Sequence, residues 1–217
     1  YRIDQLGLPR IRFMTSHPKD ISDELIAAYG ELKHLMPALH LPVQSGNDEI
    51  LRRMNRVYDR AHYLETVEKL RKVCPEIGLT SDIIVGFPGE TEAQFEDTLS
   101  LVRQVRYDAT YTFIYSPRVG TRAASMPDDT PAEEKSRRIT RLIEVVQGIC
   151  SETLQAQVGK RETVLVESVS LRDAGSVGGK TPRGHMVNFP GNEDLIGKFV
   201  DVEITSAGRN TLKGRMI

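Results

Sequence analysis

The sequence predicts an α/β protein with a parallel sheet in its larger first part, followed by a small antiparallel β-barrel. Three observations carry this. Short apolar runs alternate with helical stretches between residues 1 and 157, the pattern of successive βα units. From Val158 onward, Gly-punctuated β-type runs follow one another without a helical period. The charge balance changes at the same place, from 20 basic and 23 acidic groups before residue 158 to 9 basic and 7 acidic from there on. Two domains of different class are expected, 1–157 and 158–217.

In the first domain, residues 11–14 (IRFM), 38–43 (ALHLPV), 77–87 (IGLTSDIIVGF) and 109–115 (ATYTFIY) are apolar without strict alternation, and predict strands buried on both faces. Helices are expected between them. One covers 23–31; another covers 61–73, with Tyr63, Val67 and Leu70 on one side at helical spacing. TEAQ at 91–94 matches a capping box, opening a helix that buries Phe95, Leu99 and Val102. The longest helix is expected to take Thr130 as N-cap, with Pro131 in its first turn and Glu133 closing a second box. It would bury Leu142, Ile143, Val146, Ile149 and Cys150 and fade near Gln157.

Consecutive βα units imply parallel strands with right-handed crossovers. Four strands cannot close a barrel, and eight typically take about 250 residues. The expectation is therefore an open sheet, or the second half of a barrel whose first strands lie upstream. The opening YRIDQLGLPR, with no initiating Met, favours the latter. In the tail, residues 162–168, 184–189, 198–205 and 211–217 read as short strands. Gly178-Gly179, Pro190-Gly191 and Ala207-Gly208 separate them, which suggests a small closed or nearly closed antiparallel barrel.

Composition narrows the function classes. A net charge of -1 excludes a globally polycationic nucleic-acid coat, so any RNA contact must come from a local patch. Cys74 and Cys150 are the only cysteines, which excludes a disulfide framework, a zinc ribbon or a cysteine-ligated iron-sulfur cluster built from this chain alone. Reduced thiols and a cytoplasmic location are expected. No apolar run approaches the roughly 20 residues of a membrane helix. His17, His34 and His62 have no partners at metal-ligand spacing, and no H-E-x-x-H, nucleophile elbow, Walker loop or G-x-G-x-x-G occurs. No metal site is expected, and no side chain stands out as a catalytic acid, base or nucleophile.

In parallel α/β folds the reactive groups sit where strands end and loops begin. Four such loops are TSHP (15–18), PVQSGND (42–48), GFPGET (86–91) and SPRVGT (116–121). Gln44 and Ser45 are candidate ligand contacts, although Ser45 or Asn47 could equally serve as an N-cap. Gly86 and Gly89 allow close backbone approach ahead of the amide-rich start of a helix, but Gly-Phe-Pro-Gly is also an ordinary tight turn. Asp82, inside an apolar run, must be paired or ligand-bound. His40 reads better as a satisfied core histidine. Arg118 offers bidentate geometry to a carboxylate or phosphate, or is a solvated surface cation. In the tail, Arg172, Lys180, Arg183, Arg209 and Lys213 lie in or beside loops, with His185, Asn188 and Phe189 between them. Cations beside a stacking ring suit RNA, against the alternative of an ordinary mixed surface.

Taken together, HLPVQSGNDEILRRMNR, SDIIVGFPGET and FIYSPRVGT with a downstream MPDD resemble the methylthiotransferase family of radical S-adenosylmethionine enzymes. The tail, from GKRETVLVE through GKTPRGHMVNFPG to LIGKFVDVEIT and LKG, resembles the TRAM domain that ends those proteins. QSGND and the NFPGNEDLIGKFVDVEIT ending resemble the tRNA-acting branch more than the branch that modifies a ribosomal-protein aspartate. The resemblance implies the C-terminal part of a partial TIM-type βα barrel followed by an OB-like barrel. It further implies conversion of C2–H to C2–S–CH3 on isopentenylated adenosine 37 of tRNA. The expected cofactors are S-adenosylmethionine and two [4Fe-4S] clusters in a full-length protein, one cluster generating a 5'-deoxyadenosyl radical and the other supplying sulfur. The family's CxxxCxxC loop and its N-terminal cysteines have no counterpart in the sequence, so this chain alone is expected to be inactive. By resemblance, Gln44, Ser45, Asp82, Gly86 and Gly89 would line the S-adenosylmethionine side, and Arg118 would face the cofactor or base. The tail cations would take a tRNA anticodon stem-loop, and an electron donor such as flavodoxin would be the redox partner. Gly179-Lys180-Thr181 replaces the family's Gly-Arg-Thr, keeping the charge without the guanidinium fork. The rival classes are a non-catalytic RNA-binding module and a cluster-free barrel acting on a phosphorylated metabolite.

Overall fold

The computed structural model describes residues 1–170 and 175–217. Strands β1 (Ala38–His40), β2 (Gly78–Val85) and β3 (Ala109–Ile114) form a parallel sheet in that order. Helix α1 (Asp23–Glu31) precedes them, α2 (Asp48–Arg53) and α3 (Arg60–Val73) separate β1 from β2, α4 (Glu92–Val105) separates β2 from β3, and α5 (Ala132–Gln155) follows. Local signals set several helix starts. Ser22 caps α1, Asn47 caps α2 by accepting from Glu49 and Ile50, and Asp59 caps α3. Thr91 and Gln94 form the capping box of α4. For α5, Pro131 is the N-cap and no side chain closes the end, so the expected Thr130 cap and second box do not form.

One face of the sheet is the core. Along β2, Leu79, Ser81, Ile83 and Val85 are fully buried, the apolar three in one cluster with Tyr63, Leu70, Phe95 and Leu99. Thr80, Asp82 and Ile84 alternate with them and stay partly open. The Ser81 hydroxyl donates to Leu41 O and accepts from Val43 N, both at 2.9 Å, extending the β1–β2 pairing past His40. The expectation of strands buried on both faces is therefore not met even in β1 and β2, whose alternate residues stay partly open, and two segments depart from it further. Residues 11–14 form no strand, because their backbone bonds go to His34 and Met36 and only isolated bridges at Ile11 and Thr15 remain. Strand β3 is the sheet edge; α5 covers its Thr110 and Thr112 side, leaving Tyr111 and Phe113 exposed.

The tail forms a closed barrel, β4-β5-β6-β8-β7, from β4 (Arg161–Val169), β5 (Ser176–Lys180), β6 (Met186–Pro190), β7 (Phe199–Ala207) and β8 (Leu212–Met216). Its pairs are antiparallel except β6–β8, which is parallel. Strand β5 occupies the stretch that reads as a Gly-Gly separator. A Cβ on Gly179 would lie 2.2 Å from Leu165 O, so glycine is what lets β5 approach β4. Val164, Val177, Val187, Phe189, Val202 and Ile204 fill the barrel together with Leu154, contributed by the last turn of α5.

Candidate active site and its relation to the small barrel

The barrel docks at the amino ends of the parallel strands. A Cβ on Gly78, the first residue of β2, would lie 2.7 Å from Arg183 Cγ, and Gly184 approaches Ala38, the first residue of β1. Asp108, just before β3, accepts from Arg183 Nε at 2.7 Å and lies 2.8 Å from His185 Nε2. Burial works to raise the Asp108 pKa, yet the bonds from His185 and Arg183 hold it below the ordinary carboxylate value. Arg10 adds a strap, donating to Lys180 O and Thr163 O at 2.8 Å with its guanidinium over the Phe199 ring. A cavity of about 330 Å³ remains between sheet and barrel, lined by His40, Thr80, Tyr111, Lys180 and His185 among others.

The polar loops lie at the opposite, carboxyl edge. Gln44 is nearly buried with φ +71°, an unusual backbone for a side chain that is not glycine; it bridges to β2 through Asp82 O and Ile84 N. Asp82 is partly open, 3.5 Å from His40 Nε2, while His40 Nδ1 lies 2.9 Å from Thr80 Oγ1. His40 is thus a partly open member of this polar face rather than a core histidine. Ser45, expected beside Gln44, is fully buried on the other side: Asn47 N donates to its hydroxyl, which lies 3.4 Å from Thr98 Oγ1. It follows the left-handed backbone of Gln44 and packs onto α4, where Gly46 brings the backbone against Asp97 and Thr98.

Gly86 and Gly89 both take left-handed backbone, φ +67° and +69°. Gly86 N donates to Glu90 Oε2 at 2.8 Å, and Glu90 is held by Arg138, whose Nη1 donates to its backbone O at 2.7 Å and its Oε2 at 3.1 Å. Both side chains are essentially buried, and burial pushes the Glu90 pKa up. On this side Tyr115 follows β3, its ring edge-on to Phe87 at 5.1 Å. The Tyr115 hydroxyl is buried without a hydrogen-bond partner among the described residues.

Arg118 is exposed in the loop after β3. Of the tail cations, Arg183 is committed to Asp108, and Lys180 Nζ lies 3.4 Å from Glu167. Arg209 donates to Gln147 Oε1 at 2.5 Å, while Lys213 is exposed on β8. Arg172 lies outside the described residues. Asp108, Glu90, Arg138 and Tyr115 escape a reading of the sequence because their partners are distant in the chain. The one local hint is that Glu90 closes the Gly-Phe-Pro-Gly turn.

An orphaned hydroxyl, a partly open carboxylate and a nearly buried amide are groups that fit the amino-acid and ribose parts of an S-adenosylmethionine-type ligand, whereas the space beside Gly86 and Gly89 is taken by the Lys135 and Arg53 side chains. The thiols do not fit an iron-sulfur cluster. Cys150 donates to Asp108 O at 3.1 Å with its pKa pushed up to about 11 by burial, and burial also raises the Cys74 thiol. No group of three or more His, Cys, Asp or Glu able to hold a metal ion occurs among the described residues, and no helix there is long and apolar enough to cross a membrane.

Residues 2–102 match the model of the Radical SAM superfamily and residues 155–217 that of the TRAM domain. The chain is 51% identical over 211 residues to a tRNA-2-methylthio-N(6)-dimethylallyladenosine synthase of Clostridium botulinum strain Langeland, covering 97% of this chain and 47% of that protein. It is 49% identical over 218 residues to the protein of the same name from Thermoanaerobacter sp. strain X514, covering 100% and 46%. The chain therefore spans about half the length of the curated relatives it matches. In fold it is similar to coproporphyrinogen III oxidase (HemN) from Escherichia coli, described as a Radical SAM enzyme, with a TM-score of 0.53 at 20% identity over 64% of this chain and 32% of the other. A parallel sheet with its polar loops on one edge, continuing into a closed five-stranded barrel, and these matches agree: residues 2–102 belong to the Radical SAM superfamily, and residues 155–217 form a TRAM domain.

Proposed function

We propose that this chain is the part of a tRNA methylthiotransferase that walls the cofactor cavity and presents the RNA, the product being 2-methylthio-N6-isopentenyladenosine at position 37. The observation that carries the reading is the placement of Gln44, Tyr115 and the Gly86–Gly89 turn at the carboxyl edge of the sheet, with Asp82 on the partly open face of β2 leading to it, in a chain about half identical to proteins named for that activity. When bound, S-adenosylmethionine with an iron-sulfur cluster supplies the radical and the methyl group, and a second cluster supplies sulfur. This chain's own residues bind and orient. Gln44 and Asp82 take the polar groups of the cofactor, and Gly86 and Gly89 shape the turn beside it. Tyr115 gives its free hydroxyl to the same ligand, and Arg118 faces the cofactor or the incoming base. Lys180, Arg209, Lys213 and Arg172 supply cations for the anticodon stem-loop, whereas Arg183 serves chiefly to seat the barrel. The cluster ligands are supplied from outside these residues, a flavodoxin-type protein is the electron donor, and the reaction belongs to the cytoplasm.

The test is a chimera in which these 217 residues replace the matching segment of the Clostridium botulinum relative, with clusters reconstituted anaerobically. Incubated with isopentenylated tRNA, it is expected to yield a 2-methylthio nucleoside by mass spectrometry. S-adenosylmethionine cleavage without tRNA product, or transfer to a ribosomal protein instead, would refute the tRNA assignment.

A further inference from the structure

A second cluster of cations, unrelated to the tail, lies at the carboxyl edge of the sheet. Arg52 and Arg53, in the last turn of α2, and Arg122, which opens a short 3-10 turn at Arg122–Ser125, line one cavity of about 720 Å³ together with Asn55, Met54 and Met126. Two arginines ending a helix are commonly explained by the helix dipole. That explanation does not reach Arg122, which comes from a separate segment about 70 residues later in the chain. Their neutralisation is slight: Arg52 has one exposed carboxylate, Glu49, at 3.8 Å, and no carboxylate lies within 4 Å of Arg53 or Arg122 among the described residues. Gathering three guanidinium groups around one concavity is unfavourable by itself and is relieved by an anion.

The position of the cavity identifies the anion. Arg53 donates to Pro88 O, stacks over the Phe87 ring at 5.7 Å, and lies against Gly89, so the cavity shares a wall with the candidate cofactor turn. A base delivered to that turn from a polynucleotide carries its backbone across this edge. Planar, always-charged guanidinium forks match successive phosphates, while the methionines offer apolar contact to ribose or base faces. The barrel, clasped to the amino ends of the strands, holds the RNA from the other side.

We propose that Arg52, Arg53 and Arg122 form a phosphate-binding cleft for the RNA backbone on the radical-SAM segment itself, a second contact besides the TRAM barrel. This rests on the tRNA reading above. Arg52 and Arg122 are exposed, so the double variant Arg52→Gln/Arg122→Gln is expected to keep the parent's circular dichroism melt. The 217-residue chain is titrated with isopentenylated tRNA by fluorescence anisotropy at several salt concentrations. Each lost phosphate contact lowers the log–log salt slope by about 0.7 to 0.9, so the double variant is expected to lose about 1.4 to 1.8 of slope and roughly tenfold in affinity at low salt. The tail variant Lys213→Gln serves as comparator. If it weakens binding while the double variant binds like the parent, the cleft is refuted and the tRNA reading stands. A parent chain with no salt-dependent tRNA affinity overturns both. Displacement of tRNA from the parent, but not from the double variant, by S-adenosylmethionine would assign the arginines to the cofactor's carboxylate and overturn the RNA cleft.

Discussion

The Asp108 carboxylate accepts two bonds from Arg183, Nε at 2.7 Å and Nη2 at 3.2 Å, and so ties the loop before β3 to the barrel hairpin between β5 and β6. His185 completes the clasp at 2.8 Å, and Asp108 Oδ2 also accepts Leu79 N at 3.0 Å. The orientation of the barrel relative to the sheet is thus specified by one buried carboxylate facing two side chains of a single loop. Glycine at position 78 permits the approach.

Replacing Asp108 leaves Arg183, His185 and the Leu79 amide without their acceptor. Asp108→Ala is expected to destabilise the chain by about 3 to 5 kcal/mol, the range for breaking a buried pair from one side. Because the native pKa is depressed, the contribution is full above the unfolded carboxylate value of about 3.9 and is lost as pH falls through the native pKa. Urea unfolding followed from pH 7 down to pH 3 checks both statements: the parent should weaken on acidification more steeply than the variant.

Glu90 has the opposite sign. Its native pKa is raised, chiefly by burial, so its stabilising contribution is full below the unfolded value of about 4.3 and is lost as pH rises through the native pKa. Glu90→Gln retains an acceptor for Gly86 N and is expected to fall within about 1 kcal/mol of the parent at pH 7, with a flatter pH profile above pH 4. Arg138→Met, which strands the buried carboxylate, is expected to cost about 3 to 5 kcal/mol in the same urea assay. A Glu90→Gln variant as damaged as Arg138→Met would show that ionised Glu90 is required.

Tyr115 holds a buried hydroxyl with no partner among the described residues. Tyr115→Phe removes that unsatisfied group while keeping the ring edge-on to Phe87, and is expected to raise the stability of the ligand-free chain by about 1 kcal/mol. A gain in unfolding midpoint combined with weaker S-adenosylmethionine binding in the chimera is the expected pattern. A loss of stability would mean that the hydroxyl already has a partner.

Much of the fold is legible locally. Helix α1 is bounded where the sequence places it, α3 begins one residue earlier, and the Thr91–Gln94 box opens α4, because caps and 3.6-residue spacing are short-range physics. Strand β5 is not legible, since Gly178-Gly179 reads as a turn until the close approach of Leu165 is known. The exposure of Tyr111 and Phe113 is equally hidden, because an edge strand and a central one share the same apolar composition. Among the candidate residues, Gln44 and the two glycines lie in the loops that follow β1 and β2, as strand-end logic expects, whereas Asp82 lies inside β2 on its partly open face. Ser45 departs because the left-handed backbone at Gln44, which composition does not announce, leaves its hydroxyl packed beside Thr98 of α4. Arg183 departs because its partner, Asp108, stands 75 positions away and only tertiary structure joins them.

The most direct measurement is equilibrium binding of S-adenosylmethionine to the cluster-loaded chimera, comparing parent with Gln44→Ala/Asp82→Asn and following tRNA affinity in parallel. Cofactor binding at least about tenfold weaker, equivalent to about 1.4 kcal/mol, is expected, with tRNA affinity unchanged. Cofactor affinity equal to the parent's would contradict it, because the carboxyl edge of β1 and β2 would then not be the cofactor side.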